Sequence, residues 1–259
     1  MLDSIREAIN KAFITTPAPV SDVELIQIRK GSSPAVICID GFLCEGDDTS
    51  REWLSNIPSQ YSKRAIYALK WESKNLIDFA TAVNSIGAMG IAVRPGLFGV
   101  ANVIMDARKP WVNARNNTPV VGVWLANYIQ KSERKFVIIG HSLGARVAYY
   151  CLDHLSKIKC YGQIRDVHLL GGAVDNHACS SKQKQINWYG LDKVVTGNIR
   201  NYHSDEDSIL KFLFNLLEGF TEDPIGRHPI DNGCVINHNV TSQVSGHTEF
   251  KAQLAKYIA

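Results

Sequence analysis

No uninterrupted apolar run in the 259 residues reaches membrane-spanning length. The nearest approach is residues 83–105, VNSIGAMGIAVRPGLFGVANVIM, which Arg94 and Pro95 split into two apolar pieces of about ten residues, half of what a bilayer core requires. The first residues, MLDSIREAINKAF, lack an apolar h-region and a cleavage site. They place Ile5, Ile9 and Phe13 on one side of an amphipathic helix, so no cleaved secretory leader is expected. No C-x-x-C pair occurs among the six cysteines, Cys38, Cys44, Cys151, Cys160, Cys179 and Cys234, and reduced structural thiols are expected. The eight histidines are dispersed, and the nearest approach to a metal spacing, His177 with Cys179, has no further partners. Neither a metal nor another cofactor is expected. A net charge of +3 with scattered basic residues argues against nucleic acid as a partner. Low-complexity tracts and internal repeats are also missing, which leaves a single ordered domain over residues 1–259.

What is present is an alternation of short β-branched runs with helical patterns. VELIQIRK (23–30) alternates as a half-buried strand. AVICID (35–40) is continuous and reads as a fully buried central strand that ends in the turn Gly41-Phe42-Leu43. RAIYALKW (64–71), KFVIIG (135–140), DVHLLGG (166–172), VTGNIRNYHS (195–204) and CVINHNV (234–240) are further strands. Helical patterns cover 74–105 with glycine interruptions, 119–131 with Val120, Val123, Trp124, Asn127 and Tyr128 at helical spacing, and the segment after Ser142. A Lys- and Gln-rich stretch between 172 and 195 and the last residues, EFKAQLAKYIA, are also read as helical. Strands joined by connections long enough for crossovers predict an α/β fold with a mostly parallel central sheet and helices on both faces.

The strongest chemical signal is Gly140-His141-Ser142-Leu143-Gly144. With Gly and Ser each at about 7%, a G-x-S-x-G string arises by chance in roughly one chain in ten of this length. Here it sits between a β-branched strand and an amphipathic helix, the context of a nucleophile elbow. A strand that turns into a helix within two residues crowds the nucleophile, so Gly140 and Gly144 must lack side chains. Ser142 is then the candidate nucleophile, raised above the carboxyl end of the sheet at a helix N-terminus.

A serine nucleophile of this fold takes its acid and then its histidine from later strand ends. His247 follows the last strand, with His238 and His228 as the alternatives. The acid lies in Asp205-Glu206-Asp207, where Asp207 precedes an apolar pair that can open a helix and Asp205 remains the competitor. The oxyanion hole is expected from the backbone N–H of Leu143 and one N–H of the turn after 35–40, Phe42 first and Leu43 next. Cys44 is a poor nucleophile because Glu45, Asp47 and Asp48 would raise its pKa.

Five segments together resemble the α/β-hydrolases typified by the transmembrane and coiled-coil domain-containing proteins of eukaryotes. They are Ile39-Asp40-Gly41-Phe42-Leu43 with Trp53, residues 106–111 with Ala114, residues 140–146, residues 201–210, and Gly246-His247. The resemblance implies an α/β-hydrolase fold, a triad of Ser142, Asp207 and His247, and lipid or membrane-associated substrates. It favours Asp207 over Asp205. Gly171-Gly172-Ala173-Val174 departs from a proline usual in the family, and the family's long membrane-spanning and coiled-coil additions are missing from this sequence, so membrane residence is not carried over.

The expected activity is hydrolysis of a carboxylic ester, a lipid or other hydrophobic ester being favoured by the apolar residues 86–105. Residues 84–118 form a candidate lid that could touch a membrane surface peripherally. A cytoplasmic setting, with or without that contact, follows from the missing leader. Thioesterases and small-ester hydrolases share this machinery, as would a lipolytic toxin or a catalytically silent binding protein of the same fold.

Overall fold

The computed structural model describes residues 23–41, 49–71, 97–176, 186–217, 224–231 and 233–258. In chain order the elements are β1 (Glu24–Arg29), β2 (Ser32–Ile39), α1 (Thr49–Asn56), β3 (Arg64–Lys70), α2 (Leu97–Lys131), β4 (Phe136–His141), α3 (Leu143–Lys157), β5 (Ile164–Leu170), β6 (Ile199–His203), α4 (Ser208–Leu217), β7 (Val235–Asn239), α5 (Glu249–Ala252) and α6 (Leu254–Tyr257). The strands form one seven-stranded sheet in the order β1-β3-β2-β4-β5-β6-β7. Among the described strands only β1 runs antiparallel, against β3; the other strand pairings are parallel. This is the α/β-hydrolase fold expected from the sequence.

The continuous apolar runs have a direct cause. Side chains alternate across a strand, and both faces of the central strands are covered, so every position must be apolar. Ala35, Ile37 and Ile39 of β2 and Phe136 and Ile138 of β4 enter one core, shared with α2 and α3. Val36 and Cys38 of β2 and Val137 and Ile139 of β4 enter the other, with Trp53 of α1 and Phe250 and Leu254 of the C-terminal helices. Because β2 and β4 to β7 are parallel, the loops that follow them meet at one edge of the sheet.

Several boundaries differ from expectation. The helix expected over 119–131 is the second half of the 35-residue α2. Its packed face carries Val121, Leu125, Ala126 and Ile129, whereas Val120, Val123 and Tyr128 are exposed. Both stripes are apolar, so periodicity alone did not choose between them; docking against α3 does. Of the candidate lid, residues 84–96 lie outside the described residues, and Trp111, Val112 and Ala114 of α2 are core. The Lys- and Gln-rich stretch also falls largely outside, while 195–198 precede the short β6 rather than extend it. The expected C-terminal helix is broken at Gln253, where the bonding tightens from Gln253 N–H to Glu249 O into Lys256 N–H to Gln253 O. No helix among the described residues is long and apolar enough to cross a membrane.

Candidate active site

At the carboxyl end of β4 the chain turns into α3 through Ser142, whose φ is 56° and ψ is −120°. A serine at positive φ costs on the order of 1–3 kcal/mol and persists only where its surroundings over-determine it. Three backbone bonds do so: Ser142 N–H donates to Leu170 O at 3.0 Å, and Ser142 O accepts from Ala145 N–H at 3.1 Å and Ala173 N–H at 3.0 Å. The flanking glycines are obligatory. A Cβ at Gly140 would lie 2.6 Å from Gly144 O, and one at Gly144 would lie 2.1 Å from Ile39 O. Leu143 is the first helical residue, so its N–H is one of the donors that a helix start leaves open.

The turn after β2 approaches the same point. A Cβ at Gly41 would fall 2.4 Å from Ser142 Cβ and 3.0 Å from Ser142 Oγ, so only a bare backbone passes here. Phe42, Leu43 and Cys44 lie outside the described residues.

Two later strand ends supply a carboxylate and an imidazole. Asp207, fully buried, follows β6 and accepts through Oδ1 the N–H of Leu210 at 2.8 Å, capping α4. Its Oδ2 lies 2.6 Å from Nδ1 of His247. Arg227 donates to the Asp207 carbonyl at 2.7 Å and fixes that loop further. Asp205 is exposed, and its backbone N–H bonds Thr241 Oγ1. Of the alternative histidines, His238 stacks on Tyr202 at 4.8 Å between ring centroids, and His228 offers its backbone carbonyl to Asn201. The structure therefore brings Asp207 to His247. Ser142 Oγ and His247 Nε2 are both buried, and neither makes a hydrogen bond to any of the described residues. A hydroxyl and a ring nitrogen left in this way are available to a reacting group.

Sequence reasoning did not find His141. Its Nε2–H donates to the backbone carbonyl of His247 at 2.9 Å, and the two rings lie 4.8 Å apart. The side chain immediately before Ser142 thus holds the loop that carries His247. The partners stand 106 residues apart, and no local pattern signals such a bond. Burial first, then the neighbouring His247 and Lys251, hold the His141 pKa well below the ordinary histidine value, so its ring stays neutral. Also unforeseen were the buried Lys251, paired with Asp40, and Arg146, whose Nη1 lies 3.3 Å from Asp175 Oδ2.

His168 of β5 lies between two tyrosines, Nε2 3.0 Å from the Tyr61 hydroxyl and Nδ1 3.1 Å from that of Tyr202. A neutral ring suits this arrangement by donating at one nitrogen and accepting at the other. Burial, reinforced by Arg200, pushes its pKa down to about 3. Between the unfolded value of about 6.5 and the folded one, the unfolded chain binds the extra proton, so stability is full above that window and falls as pH drops through it. At pH 5 His168 alone is expected to cost about 2 kcal/mol relative to pH 7.5. Urea midpoints at the two pH values check this, and His168→Gln should flatten the difference. An equally steep difference in that variant would contradict the assignment.

The model of the family described as "Protein of unknown function (DUF726)" matches residues 95–259. An uncharacterized membrane protein of Schizosaccharomyces pombe is 26% identical over 97% of this chain and 35% of its own length. The transmembrane and coiled-coil domain-containing protein STS1 of Oryza sativa subsp. japonica is 28% identical over 86% of this chain and 35% of its own. Its name agrees with the resemblance carried by the five sequence segments. The probable lipase MIL1 of Saccharomyces cerevisiae is 25% identical over 86% of this chain and 22% of its own. The chain thus spans about a third or less of the length of these relatives.

Proposed function

We propose that this chain, which belongs to the DUF726 family and is similar to a protein named a probable lipase, is a serine hydrolase that cleaves a carboxylic ester of a lipid. The observation that carries the reading is the geometry at one sheet edge. Ser142 stands at positive φ at a strand–helix junction, the bare backbone of Gly41 lies against it, and a buried His247–Asp207 pair joins at 2.6 Å.

In this mechanism Ser142 Oγ attacks the ester carbonyl carbon while His247 Nε2 takes the hydroxyl proton. Asp207 accepts the Nδ1–H, which fixes the tautomer and stabilises the imidazolium. The N–H of Leu143 and a donor of the turn after Gly41, assigned to Phe42, receive the oxyanion. His247 then returns its proton to the departing alcohol, leaving an acyl group on Ser142, and a water activated by the same imidazole releases the carboxylic acid. The neutral His141 keeps the His247 loop in register throughout. No step requires a metal or an organic cofactor.

A lipid ester is favoured because the yeast relative is named a probable lipase and other relatives are named membrane proteins. Peripheral contact with a lipid surface belongs to the same proposal, and the exposed Val120, Val123 and Tyr128 of α2 offer an apolar stripe for it. A panel of p-nitrophenyl esters and acyl-thioesters of matched chain length tests the substrate class. Oxygen esters are expected to give the higher kcat/KM, rising with acyl length and with added micelles. A preference for thioesters, or a fall with acyl length, would overturn the lipid-ester reading.

A further inference from the structure

We infer that Lys251 is a positioning residue of this site, holding the turn that faces Ser142 and the helix beyond His247 in one arrangement. The inference rests on the hydrolase reading above. Lys251 is 3% exposed, and a buried ammonium is tolerated only when paired. Its Nζ lies 3.0 Å from Asp40 Oδ1, contacts Glu52 Oε2, and stands 5.4 Å above the ring of Trp53.

Asp40 is held from its other sides as well. Trp53 Nε1–H donates to its Oδ2 at 2.9 Å, and Trp71 Nε1–H donates to its backbone carbonyl at 3.1 Å. Both indoles are buried. The orientation of the peptide that leads into Gly41 is therefore fixed by two tryptophans and one lysine, immediately before the backbone closes on Ser142.

At the other end, Lys251 lies four residues after His247 within α5. The preceding residue, Phe250, is fully buried and packs its ring against those of His247, at 6.4 Å between centroids, and His141, at 6.1 Å. One cation thus ties the β2 turn to the segment that carries the imidazole. Glu52, which also contacts Lys251, has a side chain 39% exposed and stands at the rim. Buried ion pairs contribute little net stability compared with apolar packing, and their best-attested use is to select one register.

The test compares Asp40→Asn, Lys251→Met and Glu52→Gln in the full chain. It measures kcat and KM on a p-nitrophenyl ester, the melting temperature, and the rate ratio between an oxygen ester and the matching thionoester. That ratio reports how well the N–H donors around Ser142 receive the developing oxyanion, since sulfur accepts hydrogen bonds poorly. Asp40→Asn and Lys251→Met are expected to lower kcat at least tenfold with KM within about twofold of wild type, and to lower the ratio several-fold. Glu52→Gln, which leaves the Asp40–Lys251 pair in place, is expected to keep at least half of kcat and the wild-type ratio. Asn is nearly isosteric with Asp, so Asp40→Asn carries the test if Lys251→Met fails to fold. A folded Asp40→Asn protein with wild-type kcat and ratio, whatever its melting temperature, would overturn the inference alone. A wild-type protein that neither hydrolyses esters nor reacts at Ser142 would overturn the hydrolase reading, and this inference with it.

Discussion

Ser142→Ala is expected to remove ester hydrolysis, lowering kcat by roughly 10⁵–10⁶-fold, the scale found when a triad serine is deleted elsewhere. Among the described residues no nearby group can form the acyl intermediate in its place. Of the two cysteines in the core, Cys38 and Cys151, burial raises both thiol pKa values and keeps them protonated. Fold and stability should survive the change. The serine hydroxyl is buried and has no hydrogen bond among the described residues, so its removal strands none of them, and alanine keeps the same backbone strain. The melting temperature is therefore expected to stay at or slightly above the wild-type value while turnover of p-nitrophenyl butyrate disappears. A folded Ser142→Ala protein with wild-type turnover would end the nucleophile assignment.

Asp207→Asn should follow closely, with a loss in kcat of about 10⁴-fold, while Asp205→Asn should retain at least half of wild-type activity. An asparagine amide facing Nδ1 donates rather than accepts, so the proton of a neutral His247 ring moves to Nε2. The nitrogen that must take the Ser142 proton is then blocked. The asparagine oxygen can still cap α4 through Leu210 N–H, so the cost in stability should stay near 1 kcal/mol. Asp205 is exposed and its contact with Thr241 runs through the backbone, which its side-chain chemistry does not alter. Steady-state kinetics on the two variants decide the matter. Greater damage from Asp205→Asn would transfer the acid role.

What the sequence made legible is what short stretches encode. The β4–Ser142–α3 junction could be read because strand, serine, clearance glycines and helix lie within some twenty consecutive residues, each with its own steric reason. The parallel sheet followed from apolar runs separated by long crossovers. The contact between Asp207 and His247 was reachable because the fold orders its strand ends, and the preference for Asp207 over Asp205 drew on the apolar residues that follow it and on the family resemblance. Contacts across the chain were not legible. Lys251 and Asp40 are 211 residues apart, and a lysine on an amphipathic helix ordinarily reads as a solvated surface residue. His141 stood inside the motif, but its partner is a backbone carbonyl, which has no sequence signature. The packed face of α2 was hidden because the helix is apolar on two sides, and only docking against α3 selects Val121, Leu125 and Ile129.

The central claim is that Ser142 is a nucleophile activated by His247. Brief treatment with a fluorophosphonate, followed by intact mass and peptide mapping, tests it most directly, because the reagent is attacked only by a serine whose proton a neighbouring base removes. The account predicts one adduct per chain, located on Ser142, absent from Ser142→Ala, and formed far more slowly in His247→Ala. No adduct on a folded wild-type protein, or an adduct on another residue that persists in Ser142→Ala, would contradict it.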